Sequence, residues 1–275
     1  MKIQLMAAGL MVWLGMCVGQ EIRLDTPGAW RKGEGNLVKT SDGSLRVSGT
    51  MLFAAMDPVP VSARKSYTFR LKVRQADGSP VSSFYFGLIP LNDEGVSISM
   101  NTATIVRKTE GELAAGVNAG DAVVKIKPVE AKRWAVYPGG VVCFGARDDL
   151  CDLPNRQVTS PMKSIVDRNG VLEVTFKSDI QYKFPAGTKV RIQIGSGRYL
   201  YTGSADKLSR DWKEYSGTVQ GLLPPGEWDG KSFPHGTAYA QPFLMVNWNR
   251  KEAALELKDL QLKVEPANAS GSVQK

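Results

Sequence analysis

The sequence predicts an all-β protein, a largely antiparallel β-sandwich interrupted by a long central β-rich insertion. Three observations carry this. Apolar and polar residues alternate with a period of two: Tyr67, Phe69, Leu71 and Val73 interleave with Thr68, Arg70, Lys72 and Arg74, the pattern of a strand with one buried and one wet face. The runs Val171–Phe176 and Lys189–Ile194 repeat the habit. Breaks rich in Gly, Asn, Asp and Pro punctuate the runs at Asp77–Pro80, Asn92–Gly95, Arg168–Gly170 and Pro185–Gly187, supplying the fixed or positive φ that turns require. The third observation is a change of texture. Residues 100–210 hold short strands, a cysteine pair and the acidic loop Asp148–Asn155, so a sandwich core is expected from 20–99 and 211–265. No fixed-period repeat occurs, which argues against a propeller or solenoid. A weak helical period over Thr109–Ala115 predicts one short helical turn.

Taken in order, the chain begins with a predicted signal peptide over residues 1–19. Lys2 is its positive end, Leu5–Val18 its uncharged apolar run, and Gly19 the small residue before cleavage. The run is too short to span a bilayer. The expectation is a secreted, periplasmic or cell-surface protein. Leu14-Gly15-Met16-Cys17 offers an alternative N-terminal lipid anchor, although Met16 is bulky where a lipobox needs a small residue. No later apolar run reaches membrane length, so the chain is not expected to span a membrane.

The net charge of +8 falls to +7 when Lys2 leaves with the leader. The cations are scattered singly along strands, as on a solvated face. Aromatics interleaved with a basic groove are not evident, so nucleic acid is not an expected partner. In the last strand, Leu255 and Leu257 share one parity, whereas Leu260, Leu262 and Val264 share the other. A change of face inside one strand needs an extra residue, which predicts a bulge at Lys258-Asp259. The tail 266–275 has nothing to bury and is expected to be disordered.

Cys143 and Cys151 remain once Cys17 is removed. In an oxidising compartment, a pair eight residues apart reads as a disulfide closing a small loop. The alternative is a metal site, for which no His or further Cys lies nearby.

Several segments resemble jelly-roll carbohydrate-binding modules of the galactose-binding-like type, over about half of the chain. They are Gly49–Val73 with its YTFRLKV strand, the FYFGLIP strand, Asp211–Val219 with its W-x-x-Y-S pattern, and Ala254–Leu262 with an Asp before the last apolar alternation. The resemblance implies a jelly-roll sandwich. It also implies a structural calcium near the chain ends, held here by Asp259 and Asp25, although the Phe expected before Glu21 is absent.

For catalysis the sequence offers little. His235 is the sole histidine, no Gly-x-Ser-x-Gly elbow occurs, and no catalytic residue is assigned. Asp148, Asp149 and Asp152 cluster locally, as turn-capping acids do. A polysaccharide lyase would use residues such as Arg191, Gln193, Tyr199 and Tyr201, but Arg191 and Gln193 share the parity of an ordinary polar strand face. Aromatic residues are the better signal, because an indole packs against a sugar's C–H face while Asn and Asp bind its hydroxyls. Trp228, in the polar loop Pro224–Gly230, and Trp248, between Asn247 and Asn249, are the expected ligand contacts. The leading expectation is an exported, non-catalytic protein that binds a glycan or polysaccharide. A lyase or glycoside hydrolase on the same fold, or an envelope assembly protein, are the alternatives.

Overall fold

A computed structural model describes residues 19–267 apart from Pro138, Ser196 and Asn249. The expected leader, the lipobox-like stretch and residues 268–275 of the tail lie outside the described residues. The first strands are β1 (Gln20–Arg23), β2 (Trp30–Arg31), β3 (Val38–Lys39), β4 (Leu45–Ser48), β5 (Met51–Ala55), β6 (Val59–Pro60), β7 (Lys65–Gln75) and β8 (Ser83–Leu91). Then come β9 (Gly111–Leu113), β10 (Val123–Pro128), β11 (Val141–Phe144), β12 (Met162–Arg168), β13 (Val171–Phe176) and β14 (Lys189–Gln193). The chain closes with β15 (Leu200–Ala205), β16 (Lys213–Gln220), β17 (Tyr239–Trp248) and β18 (Ala254–Pro266).

These strands form three sheets, and the pairings within them are antiparallel. One sheet runs β16-β7-β18-β4-β3, with β1 also on β18; a second runs β15-β8-β17-β5-β2, with β6 also on β17. Their inner faces pack together. Tyr67, Phe69, Leu71 and Val73 of β7 are buried against Phe84, Phe86 and Leu88 of β8 and Leu244 and Val246 of β17. Phe69 meets Phe86 edge-on, with centroids 5.5 Å apart, the geometry that ring quadrupoles favour. The predicted antiparallel sandwich is thus present, with its core between these two sheets.

The third sheet, β11-β14-β9-β10-β13-β12, is built wholly from residues 111–193 and has its own core around Trp134, Phe144, Leu172, Val174 and Ile192. β15 falls within the segment expected to be inserted, yet it pairs with β8 of the sandwich through Leu200↔Leu88. The expected helical turn at Thr109–Ala115 is instead strand β9; among the described residues short α-helices occur at α1 (Met100–Ala103) and α2 (Ala131–Trp134), with a 3-10 turn at Pro27–Ala29. Pairing of Gly111–Leu113 with β10 and of Gly111–Glu112 with β14 overrides the weak local period.

The bulge in β18 lies where the change of parity puts it. The register slips between Lys258 and Gln261, and Asp259 takes a φ of +54°. As a result Leu255, Leu257, Leu260, Leu262 and Val264 all enter one core. The Asp25 carboxylate fastens the slip by accepting the Leu260 N–H at 2.6 Å.

The expected disulfide is absent. Both thiols are free, Cys143 buried and Cys151 exposed. The loop that separates them is committed elsewhere. It curls back to place the Asp152 carboxylate 2.5 Å from the buried guanidinium of Arg191, and the Arg147 N–H and the Asn155 amide also donate to that carboxylate. Cys151 is left on the outside of this curl, its own N–H donated to Asp149.

Candidate functional site

An antiparallel sandwich normally exposes a polar outer face. The outer face of the sheet β15-β8-β17-β5-β2 departs from this. Leu52 and Ala54 of β5, Tyr85, Ile89 and Leu91 of β8, and Tyr239, Phe243 and Met245 of β17 form an apolar cluster separate from the core, and Tyr199 joins it. Tyr201 lies over Phe243 with centroids 5.6 Å apart, and Tyr199 lies 4.8 Å from the same ring. Tyr85 and Tyr201 are 6.0 Å apart, as are Tyr199 and Tyr201. At one end of this cluster a hollow of about 250 Å³ opens to solvent, lined by Leu52, Tyr85, Tyr199, Tyr201, Met245 and Trp248. Two of its walls are well exposed, Tyr201 at 50% and Trp248 at 41%.

Local structure explains why these rings stand here. Gly87 faces outward in mid-β8, where a Cβ would fall 2.1 Å from the Leu200 carbonyl oxygen. Glycine therefore lets β15 run tightly over the sheet edge and carry Tyr199 and Tyr201 onto its face. At the other end, β17 bulges between Val246 and Trp248. The extra residue is Asn247, with a φ of +51°, a conformation Asn tolerates better than most residues. Its amide donates to the Gly49 carbonyl at 3.0 Å and accepts from the Ser82 hydroxyl at 2.9 Å. The bulge turns Trp248 out beside the hollow. Burial holds the Tyr201 hydroxyl above the usual phenol range, with smaller contributions from Tyr199 and Tyr85, so this phenol stays neutral at ordinary pH.

Comparison of the chain with protein-family models, with curated proteins and with solved structures finds no match. The site must therefore be read from its own chemistry.

Of the residues singled out in the sequence, Trp248 is on this surface. Asn247 is not a ligand contact: it is fully buried and its side chain is spent on holding the bulge. Asn249 lies outside the described residues. Trp228 packs against the sandwich core and does not line the hollow, because its loop is pinned by Asp229, which accepts the N–H groups of Lys231 and Ser232 at 2.7 Å. Trp212 stands on the outer face of the opposite sheet between Arg74 and Lys258, whose charges lie 4.6 and 4.1 Å from its ring.

Asp25 and Asp259 do come close, on either side of the β18 bulge, but their oxygens do not fit a calcium ion, which needs roughly six to eight oxygen ligands. Asp25 is taken by the Leu260 N–H and by Arg23 at 2.6 Å, and Asp259 by Lys72 at 2.9 Å. The hydrogen bond from Lys72 is the main reason the Asp259 carboxyl titrates below its usual range. Among the described residues no group of three His, Cys, Asp or Glu side chains is arranged for a metal.

The residues a lyase would use are not brought together. Arg191 and Gln193, expected on a wet strand face, are 2% and 0% exposed. The loop after β11 covers Arg191 and neutralises it with Asp152, so it has no free charge for a uronate. Tyr199 and Tyr201 sit on a different sheet. Asp148 and Asp149 are occupied by Lys189 and Arg147. His235 borders a shallow hollow with Asp93, Arg156 and Thr237, away from any of these groups.

Sequence reasoning missed Tyr85, Met245 and Leu52. A signal was present. SFYFGLIPL in β8 and YAQPFLMVNW in β17 are apolar at both parities, which marks strands covered, or made to be covered, on both faces.

Proposed function

We propose that the chain is an exported carbohydrate-binding protein that holds a glycan on the outer aromatic face of the sheet carrying β8 and β17. The observation that carries this reading is the pairing of half-exposed Tyr201 and Trp248 with Tyr85 and Tyr199 around one open hollow. Flat rings present apolar faces to sugar C–H groups, while the phenol hydroxyls and the indole N–H remain to bind sugar hydroxyls. Two features support the reading from outside the site. The N-terminal apolar run Leu5–Val18 has the layout of a leader, and the strand motifs resemble those of jelly-roll sugar-binding modules. Among the described residues no helix is long and apolar enough to cross a membrane.

Affinity electrophoresis through gels containing neutral or acidic polysaccharides tests the proposal. Retardation by at least one polymer, relieved by Tyr201→Ala and by Trp248→Ala, is the expected result. Covering about 60–100 Å² of ring by a sugar contributes about 1.5–2.5 kcal/mol, so each truncation should weaken binding about tenfold or more. Release of reducing ends or unsaturated products during the same incubation would move the assignment to an enzyme. Failure to bind any polymer would favour a protein-docking role for this face.

A further inference from the structure

The ligand of this surface can be narrowed, on the footing that the surface binds glycan at all. The strand register sets the aromatic side chains in a line. Trp248 pairs across from Ser83, Met245 from Tyr85, and Tyr201 from Gly87, while Tyr199 follows just past the Leu200↔Leu88 pair. From Ser83 to Ile89 the strand advances roughly 20 Å. The row is therefore longer than one sugar ring, and suits a linear chain lying along β8.

Each end of the row carries a cation. Arg198 lies 5.4 Å from the Tyr199 ring centroid and donates towards its hydroxyl at 3.4 Å. At the other end, Lys251 and Thr50 line a second hollow that shares Trp248 as its wall. The acid there, Glu252, lies 3.9 Å from Arg250. Neither Arg198 nor Lys251 has a carboxylate within 4.0 Å among the described residues. On the outer face of the opposite sheet some cations are matched by acids, as in Arg70–Glu214, Lys72–Asp259 and Arg74–Glu256, while Lys65 and Lys213 of that sheet are exposed with no such pair among the described residues. Arg198 and Lys251 differ in that they flank the aromatic row. Unmatched positive charge thus stands at both ends of the aromatic row.

We infer that the ligand is a linear acidic polysaccharide, its rings stacked on Trp248, Tyr85, Tyr201 and Tyr199 and its anionic groups set on Arg198 and Lys251. The anionic group is a carboxylate of a uronic acid or a sulfate ester. Both offer the charge and acceptor oxygens that a guanidinium and an ammonium recognise.

The test compares the full chain's affinity for polygalacturonate and chondroitin sulfate with that for their carboxyl-reduced and desulfated forms. The variants are Arg198→Gln, Lys251→Gln and Tyr201→Ala, with thermal melts confirming that each remains folded. At least one acidic polymer should bind about tenfold tighter than its neutral counterpart, and each charge removal should weaken this preference. Tyr201→Ala should weaken binding to both forms. Binding lost on carboxyl reduction assigns the anionic group as a uronate carboxylate, and binding lost on desulfation, which leaves the uronates of chondroitin in place, assigns it as a sulfate. Equal binding of acidic and neutral forms, unaffected by the two Gln variants, would overturn the inference and leave glycan binding standing. Binding that vanishes in salt but ignores Tyr201→Ala would overturn it as simple ion exchange, and equal affinity for a single-stranded oligonucleotide would overturn it as a nucleic-acid surface. Binding to no polysaccharide would remove the underlying reading as well.

Discussion

At the scale of single residues, the chain spends several polar side chains on architecture that their types would suggest are chemical. Arg191 and Asp152 form a buried pair whose partners cannot be separated cheaply, since each would leave the other charged and dry. Arg191→Gln should cost about 3–5 kcal/mol of stability, measured by urea denaturation; a change within the scatter of surface substitutions would mean the pair is solvated. Burial lifts the Cys143 thiol to about 12, despite the opposing charge of Arg191. A thiol reacts as its thiolate, and a group titrating near 12 is neutral throughout the range of ordinary labelling. In protein lacking residues 1–19, iodoacetamide at about pH 8 should modify Cys151 and spare Cys143, with both reacting after denaturation. Failure of Cys151 to react in the native protein, restored by reductant, would instead report a bridge. Asn247 is the residue on which Trp248 depends. Asn247→Ala should cost about 1–3 kcal/mol in the same denaturation assay, because it strands buried donors and acceptors and strains a positive φ.

At the scale of elements, the legible and the hidden parts of the sequence have different physical origins. Alternation in β7 and the change of parity in β18 are readable because each reports directly on one buried face, and the bulge at Asp259 follows from that parity alone. β9 is not readable as a strand, since three residues carry too little pattern to compete with a weak helical period, and pairing on both sides decides it. The disulfide expectation fails because sequence spacing says nothing of direction, and the loop is already committed to Arg191. Half of the candidate site is legible. Trp248 stands out as an aromatic at a strand end, whereas Tyr85 and Met245 are hidden in runs apolar at both parities, where the inner core and an outer binding face look alike. Tyr199 and Tyr201 reach that face through close packing at Gly87. Gly87→Ala should force β15 away from β8, lowering stability by about 1–3 kcal/mol and weakening glycan binding with it. Unchanged binding would detach the two tyrosines from the site.

At the scale of the whole molecule, a two-sheet sandwich supplies a rigid platform, and a third sheet of residues 111–193 is built into one of its connections. The sandwich sheets have unlike outer faces: one laced with ion pairs and the caged Trp212, the other apolar and aromatic. On the apolar side Phe243, Met245, Leu91 and Ile89 are already buried within the chain, which leaves half-exposed Tyr201 and Trp248 as the rings that, in our proposal, an extracellular glycan covers. Isothermal titration with the tightest-binding polysaccharide tests this most directly, comparing the unaltered chain, the double variant Tyr201→Ala/Trp248→Ala, and Trp212→Ala on the opposite face. The double variant should lose at least about a hundredfold in affinity while Trp212→Ala binds normally. Equal affinity in all three, or loss only in Trp212→Ala, would contradict the proposal.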